Sequence, residues 1–460
     1  MPLLFMGKEF SLIPREVPRV ETKYRRIVTP IPHPDSLPTL EKLRRFEPTS
    51  MRGQPPVVWD RAEDICVFDK YGNQWLDWSS GVLVANAGHG APEIRRAIVE
   101  QVNSGLLHNY CFPSEERAQL VECLAGLAPD SLKKVFLLTT GSEATECAIK
   151  LARATGLRRG GRDKIGIISF ERGFHGRTLG AQLAGGIPGQ KAWIINQDPA
   201  FIQMPFPDGF WNEEIRFEAF LEDLARRKIG PDRIAGVLME TYQGVGPDFA
   251  PAGYVRELTQ WCHQHDIVLA FDEVQAGFGR TGKFWGFEHY GVIPDLICCG
   301  KGISSSLPIS AVIGREEILD QFPPGSMTST HTGNPVCVAA ALASVKKIVG
   351  ENLPLRAARL ETPLREGLQR IQTRHPSVVG HYSARGLVAG LQMTQPGRKE
   401  PNHDLAHAII ERCFQRGLLF FSPVGAWGQT VKIAPPLTIP LEALEEGLAV
   451  LSQAVDDASA

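Results

Sequence analysis

Six short apolar runs, separated by helical stretches, constrain the fold of this chain most strongly. They cover residues 135–138, 165–170, 234–239, 267–271, 296–299 and 309–313. Short, fully apolar strands that alternate with helices predict a mostly parallel sheet with helices on both faces. Ligands of such sheets bind beyond the carboxyl ends of the strands. We therefore expect an α/β protein whose functional residues follow the strand ends.

The predicted sheet belongs to a large domain over residues 111–345. Residues 1–55 are rich in proline and basic side chains and predict an extended N-terminal arm. Residues 56–110 predict a hairpin and an amphipathic helix, which we assign to a small domain and to the entry of the active site. Residues 346–460 predict the rest of this smaller α+β domain, ending in a helix with a leucine stripe.

Composition and charge argue against several classes of function. The 460 residues carry a formal net charge of −2, which gives no electrostatic basis for binding nucleic acid or an anionic membrane. No apolar run reaches the ~20 residues of a membrane span, and residues 1–6 do not predict a signal peptide. Nine cysteines without a CxxC pair indicate reduced thiols. We expect a cytoplasmic protein of enzyme size.

Two motifs suggest ligands that their surroundings do not support. Residues 277–283 fit G-x-G-x-x-G and nearly fit a phosphate-binding loop. However, residues 284–287 have no helical period, and Phe284 cannot replace the Ser or Thr that holds magnesium. His263 and His265 are two residues apart, so on a helix they point in different directions and suit a metal poorly. We expect no metal site.

Lys301 follows the apolar run 296–299 and lies between two glycines. A lysine at the end of a buried strand is costly unless it is paired or used, and the glycines leave room for a ligand to approach the backbone. One hypothesis is that Lys301 forms a Schiff base with a carbonyl cofactor. The alternative is that its side chain snorkels from the strand end to solvent.

Three further strand ends carry residues that suit the same ligand. Gly141 and Ser142 precede a helix, where free N–H groups and the helix dipole attract a phosphate, although an ordinary N-cap has the same pattern. Asp272 needs a cationic partner, either a protonated pyridine nitrogen or a nearby Arg or Lys. Phe174 and Arg177 suit a flat ring and a substrate carboxylate, or else are a core Phe and a surface Arg.

Taken together, the chain resembles the class III, omega-type family of pyridoxal-phosphate-dependent aminotransferases. The matching motifs, in the family's order over about residues 60–440, are Thr140-Gly141-Ser142-Glu143-Ala144, Phe174-His175-Gly176, Glu240 with Gln243-Gly244, Asp272-Glu273-Val274-Gln275 with Gly279-Arg280-Thr281-Gly282, Pro294-Asp295 with Gly300-Lys301-Gly302, and Thr332-Gly333-Asn334-Pro335. The resemblance implies fold type I, the cofactor pyridoxal 5'-phosphate, and a homodimer with shared active sites.

The resemblance also implies a role for each matching residue. Lys301 would carry the cofactor as a Schiff base and move the substrate's alpha proton, while Asp272 would pair with the pyridinium nitrogen. The other implied cofactor contacts are Val274 and Phe174 on the two ring faces, Gln275 near the ring 3-oxygen with His175 alongside, Gly141 and Ser142 on the phosphate, Thr332 on the phosphate from the other subunit, and Glu240 in the network around Gln243.

The substrate side departs from the family pattern. Glutamate-using members commonly have a second glutamate where this chain has Val245, and an arginine before Ala-Pro-Pro-Leu where it has Lys432. In the family these two side chains form a switchable pair, and both are altered here. Arg177 is retained and implies one carboxylate anchor, whereas Lys432 lacks the fork of an arginine. Thr241 replaces the proline that normally follows Glu240.

The function that the resemblance implies is transfer of an amino group from an amino acid or amine to a 2-oxo acid through Lys301. An amino-acid racemase or epimerase on the same fold stays open, since Lys301 would then remove and return the alpha proton. A cofactor-binding scaffold without turnover is a third reading, against which the presence of Lys301, Asp272 and Gln275 argues. The identity of the amino donor stays open.

Overall fold

The computed structural model describes residues 7–460, which divide into two compact units. One unit contains the described residues up to Ala91 together with Leu355–Ala460, and the other contains Pro92–Pro354. The domain limits that the sequence suggests, at residues 111 and 345, stay a prediction. Residues 1–6, including their assignment as no signal peptide, lie outside the described part of the chain. Within that part, no helix is long and apolar enough to cross a membrane.

Short strands form a sheet at the start of the first unit. Its elements are β1 (Val20–Glu21), β2 (Arg26–Ile27), α1 (Leu37–Phe46), β3 (Arg61–Glu63), β4 (Cys66–Phe68), β5 (Gln74–Asp77) and the single turn α2 (Ser80–Leu83). The sheet order is β1-β2-β5-β4-β3, with antiparallel neighbours. Short 3-10 turns flank α1.

The second unit alternates helices and strands, as the apolar runs predict. Its elements are α3 (Pro92–Asn103), α4 (Glu115–Leu127), β6 (Lys134–Leu138), α5 (Gly141–Gly160), β7 (Gly166–Phe170), α6 (Leu179–Ala184), α7 (Pro188–Lys191), β8 (Phe201–Met204), α8 (Phe217–Arg226), β9 (Ile234–Glu240), α9 (Ala252–Gln264), β10 (Val268–Asp272), β11 (Leu296–Cys299), β12 (Ser310–Gly314), α10 (Glu316–Leu319) and α11 (Pro335–Gly350).

Seven strands of this unit form one sheet in the order β6-β12-β11-β10-β9-β7-β8. The strands from β8 to β11 run parallel, whereas β12 is antiparallel to both of its neighbours. The mostly parallel α/β architecture is therefore confirmed, with one reversed strand. The sequence did not predict the edge strand β8, because its four residues are too short and too partly buried for a clear period.

The register of the sheet brings polar residues to one edge. Asp272, at the end of β10, lies opposite Glu240 at the end of β9, and Lys301 follows β11 beyond the same edge. Because β12 runs in the opposite direction, its first residue, Ser310, lies there too. The Ser310 hydroxyl donates to the carbonyl oxygen of Thr140 at 2.7 Å, next to the start of α5.

Helix α5 approaches this sheet closely through small residues. Ala144, Ala148, Ala152 and Gly156 recur at a spacing of four and are buried against β9 to β12. A Cβ added at Gly156 would lie 2.6 Å from the Cβ of Ala235, so a larger side chain would push the helix away from the sheet. The close packing holds the first turn of α5 at the carboxyl edge of the strands.

The C-terminal part of the first unit adds the remaining elements. They are α12 (Leu353–Arg374), which starts just before this unit, β13 (Val379–Arg385), β14 (Val388–Met393), α13 (His403–Phe414), β15 (Leu418–Leu419), β16 (Thr430–Ile433) and α14 (Leu441–Ser459). Strands β13, β14 and β16 form an antiparallel sheet, and β15 joins β5 in parallel. The predicted leucine stripe of α14 is buried.

The turn α2 has a left-handed backbone. All four residues of Ser80–Leu83 have φ between 48° and 66°, a conformation that costs a residue other than glycine about 1–2 kcal/mol. Hydrogen bonds hold the turn in place. The Ser79 hydroxyl donates to Asp77 Oδ1 at 2.6 Å and accepts from the Gly81 amide at 3.0 Å. The other Asp77 oxygen lies 2.7 Å from His89 Nε2, so buried Asp77 braces the turn.

Candidate active site

Lys301 presents an amine without a partner at the carboxyl edge of the sheet. Its φ of 42° is left-handed, which directs the side chain away from the path of β11. Within residues 7–460, its Nζ makes no hydrogen bond or ion pair. Burial lowers the pKa of the Lys301 amine, while the charges of Asp272 and Glu240 act in the opposite direction. A partly buried amine with a lowered pKa is available as a nucleophile.

Asp272 is oriented by two hydrogen bonds. Its Oδ2 lies 2.8 Å from His175 Nδ1, and its Oδ1 accepts from the Val274 amide at 3.0 Å. Burial disfavours the charged form of His175, but the hydrogen bond and charge of Asp272 outweigh burial and raise the pKa of His175. The sequence suggested a place for His175 beside a ring oxygen; in the structure it supports the carboxylate instead.

The first turn of α5 offers two unused donors. Thr140 is the N-cap, and its hydroxyl accepts from the Glu143 amide at 3.2 Å. In return, Glu143 Oε2 accepts from the amides of Thr139 and Thr140, both at 2.8 Å. The amides of Gly141 and Ser142 make no hydrogen bond within the described residues. Such donors, together with the helix dipole, suit a phosphate.

Val274 connects the phosphate end of the site to the lysine. A Cβ added at Gly141 would lie 2.8 Å from Val274 Cγ1, and one added at Gly300 would lie 3.6 Å from the same atom. Gly141 and Gly300 thus leave a shallow space over Val274, between the unused amides and Lys301. The space has a charged carboxylate on one side and an apolar floor, as a flat, phosphate-bearing ring with a basic nitrogen requires.

Glu240 holds two loops together at the strand ends. Its Oε2 accepts from the Phe174 amide at 2.9 Å, and its Oε1 accepts from the Gly244 amide at 2.8 Å. Burial raises the pKa of Glu240 to about 7, with His175 lowering it and Asp272 raising it further. Gln275 packs on the turn, since a Cβ added at Gly244 would lie 2.1 Å from its Nε2.

Phe174 and Arg177 lie on the segment between β7 and α6. The ring of Phe174 is partly exposed, and the guanidinium carbon of Arg177 lies 5.5 Å from its centre. Gly176 has φ of 132°, and a Cβ added there would lie 2.3 Å from Ser142 Oγ. Ser142 Oγ also accepts from the Arg177 amide at 3.3 Å. The ring and the cation are therefore placed next to the first turn of α5.

Three expected site residues are not joined to this cluster. The Thr332 hydroxyl donates to the carbonyl oxygen of Leu137 at 2.9 Å, and its expected role across a dimer stays a prediction. Val245 is partly buried in the turn after Glu240. Lys432 is buried in β16, opposite Gly390, and belongs to the other compact unit. Their roles toward substrate stay predictions.

The motifs that the sequence argued against are accounted for. Residues 277–283 form turns that lead into no helix, so they lack the strand-to-helix geometry of a nucleotide loop. Within residues 7–460, no group of three His, Cys, Asp or Glu side chains is arranged to hold a metal ion. Sequence reasoning missed Thr145 and Glu146, although their spacing of three and four from Ser142 places them on its helix face.

Comparison with known proteins decides the family. The family model described as aminotransferase class-III matches residues 49–455. The chain belongs to this family. A 4-aminobutyrate aminotransferase of Mycobacterium leprae (strain TN) is 33% identical over 450 residues, covering 94% of this chain and 98% of the relative. An acetylornithine aminotransferase of Methanopyrus kandleri is 35% identical over 402 residues, covering 87% and 94%.

A solved structure agrees with the family in fold. An aminotransferase of Bacillus anthracis superposes with a TM-score of 0.83 at 28% identity, covering 92% of this chain and 99% of that chain. The class III aminotransferases are pyridoxal-phosphate enzymes, and this chain is a transaminase of that class with fold type I. Of the alternatives that the sequence left open, transamination is the one that the family and the named relatives support.

Proposed function

We propose that this aminotransferase binds pyridoxal phosphate through Lys301 and passes an amino group from an amine or amino acid to a 2-oxo acid. One observation carries the proposal. The unpartnered Lys301 amine, the oriented carboxylate of Asp272 and the unused amides of Gly141 and Ser142 lie around one space floored by Val274. Each group answers one part of the cofactor, namely its aldehyde, its ring nitrogen and its phosphate.

The cofactor, when bound, supplies an aldehyde that condenses with primary amines and a ring that accepts electrons. The chain supplies everything else. Asp272 faces the ring nitrogen as a carboxylate, and His175 keeps that carboxylate from rotating. The amides of Gly141 and Ser142 hold the phosphate, and Phe174 covers the ring from the side opposite Val274.

Lys301 is the group that holds and moves the proton. Because burial lowers the pKa of its amine, Lys301 is more readily neutral near physiological pH than an exposed lysine. A neutral amine accepts the proton from the carbon that bears the substrate's amino group and returns it to the cofactor side. The charges of Asp272 and Glu240 limit how far this pKa falls.

We propose that the acceptor is a monocarboxylic 2-oxo acid. Arg177 is the carboxylate anchor, since its guanidinium is exposed beside Phe174. Val245 carries no charge, and buried Lys432 lacks the fork that binds a second carboxylate at two points. The 4-aminobutyrate relative uses a donor with its amine on a terminal carbon, and a donor of that kind suits one carboxylate anchor. Pyruvate should therefore be used better than 2-oxoglutarate at equal concentration.

We further propose a homodimer in the cytoplasm. Several apolar side chains between α3 and α4 are about half exposed or more, which suits an interface with a second copy. They are Val99, Val102, Leu107 and Phe112. The nine cysteines form no disulfide within residues 7–460, which suits a reducing compartment.

Replacement of Lys301 tests the function. Purified protein should show an absorbance band of bound cofactor that shifts when an amino donor is added. Lys301→Ala should lose the lysine-borne band and at least about 10³-fold of turnover, as expected when a proton-transferring nucleophile is removed. The matched control is Lys191→Ala. Burial lowers the pKa of Lys191 to about 8, but its Nζ donates to the carbonyl oxygens of Leu183 and Gly185.

The control separates a specific amine from a merely reactive one. If Lys191→Ala loses the band and Lys301→Ala keeps it, the proposed role of Lys301 is wrong. Incubation of one amino-acid enantiomer without any oxo acid checks the reaction type. Formation of the mirror-image amino acid in that reaction would favour racemisation over transamination.

A further inference from the structure

One face of α5 holds the segment that carries Phe174, His175 and Arg177. Ser142, Thr145 and Glu146 are spaced by three and four residues and lie on this face. Each makes a hydrogen bond to the segment or to the start of α6. The same helix begins with the unused amides of Gly141 and Ser142, so one rigid element borders both the phosphate end and the substrate end of the site.

Glu146 supplies a cap that the sequence of α6 lacks. Thr178, the N-cap of α6, makes no side-chain hydrogen bond to the helix. Instead, Glu146 Oε1 accepts from the amides of Gly180 and Ala181 at 2.8 and 3.0 Å. A Cβ added at Gly180 would lie 2.3 Å from the other oxygen of Glu146, so the carboxylate also packs on this turn. A negative charge at a helix start is stabilising.

Thr145 fixes the middle of the segment. It is fully buried, and its hydroxyl lies 2.7 Å from the carbonyl oxygen of His175 and 2.9 Å from that of Ser142. The ring of His175 in turn supports Asp272. A buried hydroxyl that joins two backbone carbonyl positions restricts the rotation of the His175 backbone, because moving it would leave a polar group unpaired.

We propose that Thr145 and Glu146 are positioning residues, which tie residues 174–181 to helix α5 and thereby set the affinity for the donor's carboxylate through Arg177. The inference rests on the proposed function, since it assigns that carboxylate to Arg177. Neither residue touches the substrate in this proposal. Glu146 acts on the start of α6, one turn beyond Arg177, and Thr145 acts through the backbone of His175.

Hydrogen–deuterium exchange on full-length protein, purified without added cofactor, tests the tie directly. Glu146→Ala should increase exchange in peptides covering residues 174–181 at least about fivefold, because the amides of Gly180 and Ala181 lose their acceptor. Glu143→Ala is the matched control, since Glu143 accepts from two amides of the same helix start but none in the segment. Equal exchange in Glu146→Ala and Glu143→Ala would overturn the tie.

Kinetics of the loaded enzyme test the consequence. Glu146→Ala should raise KM for 4-aminobutyrate about tenfold, the size of a lost hydrogen bond to a charged group, and leave KM for butylamine, which has no carboxylate, unchanged. Glu146→Gln should restore KM, because its amide oxygen still accepts. An equal rise for both amines, or no rise at all, would overturn the proposal.

A second variant covers the case in which Glu146→Ala does not fold. Thr145→Val keeps the shape and removes the hydroxyl, so it should increase exchange in the same peptides, and Thr145→Ser should restore protection. If neither effect is seen, the proposal is wrong. The exchange measurement needs no cofactor and no turnover, so its failure is distinct from failure of the proposed transamination.

Discussion

Replacement of Gly176 by alanine should damage both the fold and the cofactor site. At φ of 132°, an alanine carries backbone strain of about 1–3 kcal/mol. Its Cβ would lie 2.3 Å from Ser142 Oγ, 2.8 Å from Ser142 Cβ and 3.0 Å from Ser142 Cα. Since the last of these is backbone, rotation of the serine cannot relieve the contact, and overpacking adds about 1–3 kcal/mol. We expect Gly176→Ala to lower the free energy of unfolding by about 2–6 kcal/mol.

The cofactor should report the same displacement. Because Ser142 is the residue that must move, its amide leaves the phosphate position, and the Kd for pyridoxal phosphate should rise about tenfold or more, the effect of ~1.4 kcal/mol. Urea unfolding measures the first effect, and titration of the absorbance band measures the second. The control is Gly253→Ala in α9, where a Cβ meets nothing within 4 Å and stability should rise by up to about 1 kcal/mol.

A double variant separates the two causes. Ser142→Gly removes the serine Oγ and Cβ, so adding it to Gly176→Ala should recover the steric part of the loss and leave the backbone strain. A Gly176→Ala protein within about 0.5 kcal/mol of wild type, the range of neutral surface substitutions, with an unchanged Kd for the cofactor, would refute the reasoning.

Two further predictions concern stability. Burial raises the pKa of Glu240 and Glu273 to about 7. The folded protein therefore binds more protons than the unfolded chain between about pH 5 and 7, and its free energy of unfolding should fall across that range, by about 3 kcal/mol for Glu273. Urea unfolding from pH 5 to 8 should show a flatter curve for Glu273→Gln, and an unchanged slope would contradict this assignment. Val82 has φ of 66° and is 46% exposed, so Val82→Gly should raise the free energy of unfolding by about 1 kcal/mol, whereas Val82→Ala, which keeps its Cβ, should not.

The sequence predicted the sheet well because its central strands are apolar throughout. The observed β9, β10 and β11 end within one residue of the apolar runs, since burial on both faces leaves no polar position until the strand ends. The direction of β12 was not predictable, because an apolar strand reads alike in parallel and antiparallel pairing. The left-handed turn was also missed, since Val82 and Leu83 are residues that rarely adopt such φ values.

The candidate site was predicted in its residue types more than in its contacts. Lys301 and Asp272 follow strands, and that position alone brings them to one edge. The pairing of His175 with Asp272 joins residues far apart in the sequence, and no local pattern encodes it. The supports from Thr145 and Glu146 depend on how α5 packs beside the segment after β7, which only the assembled fold determines.

The reversed strand has a consequence for how the site is assembled during folding. Parallel neighbours in this sheet are joined by long crossovers, whereas β11 and β12 pair antiparallel across residues 300–309, the shortest connection between paired strands of the sheet. Short loops close fastest, because their closure entropy is small. The connection that carries Lys301 therefore belongs to the part of the sheet with the lowest contact order. The lysine's backbone position is specified locally, ahead of the distant strands that later surround it.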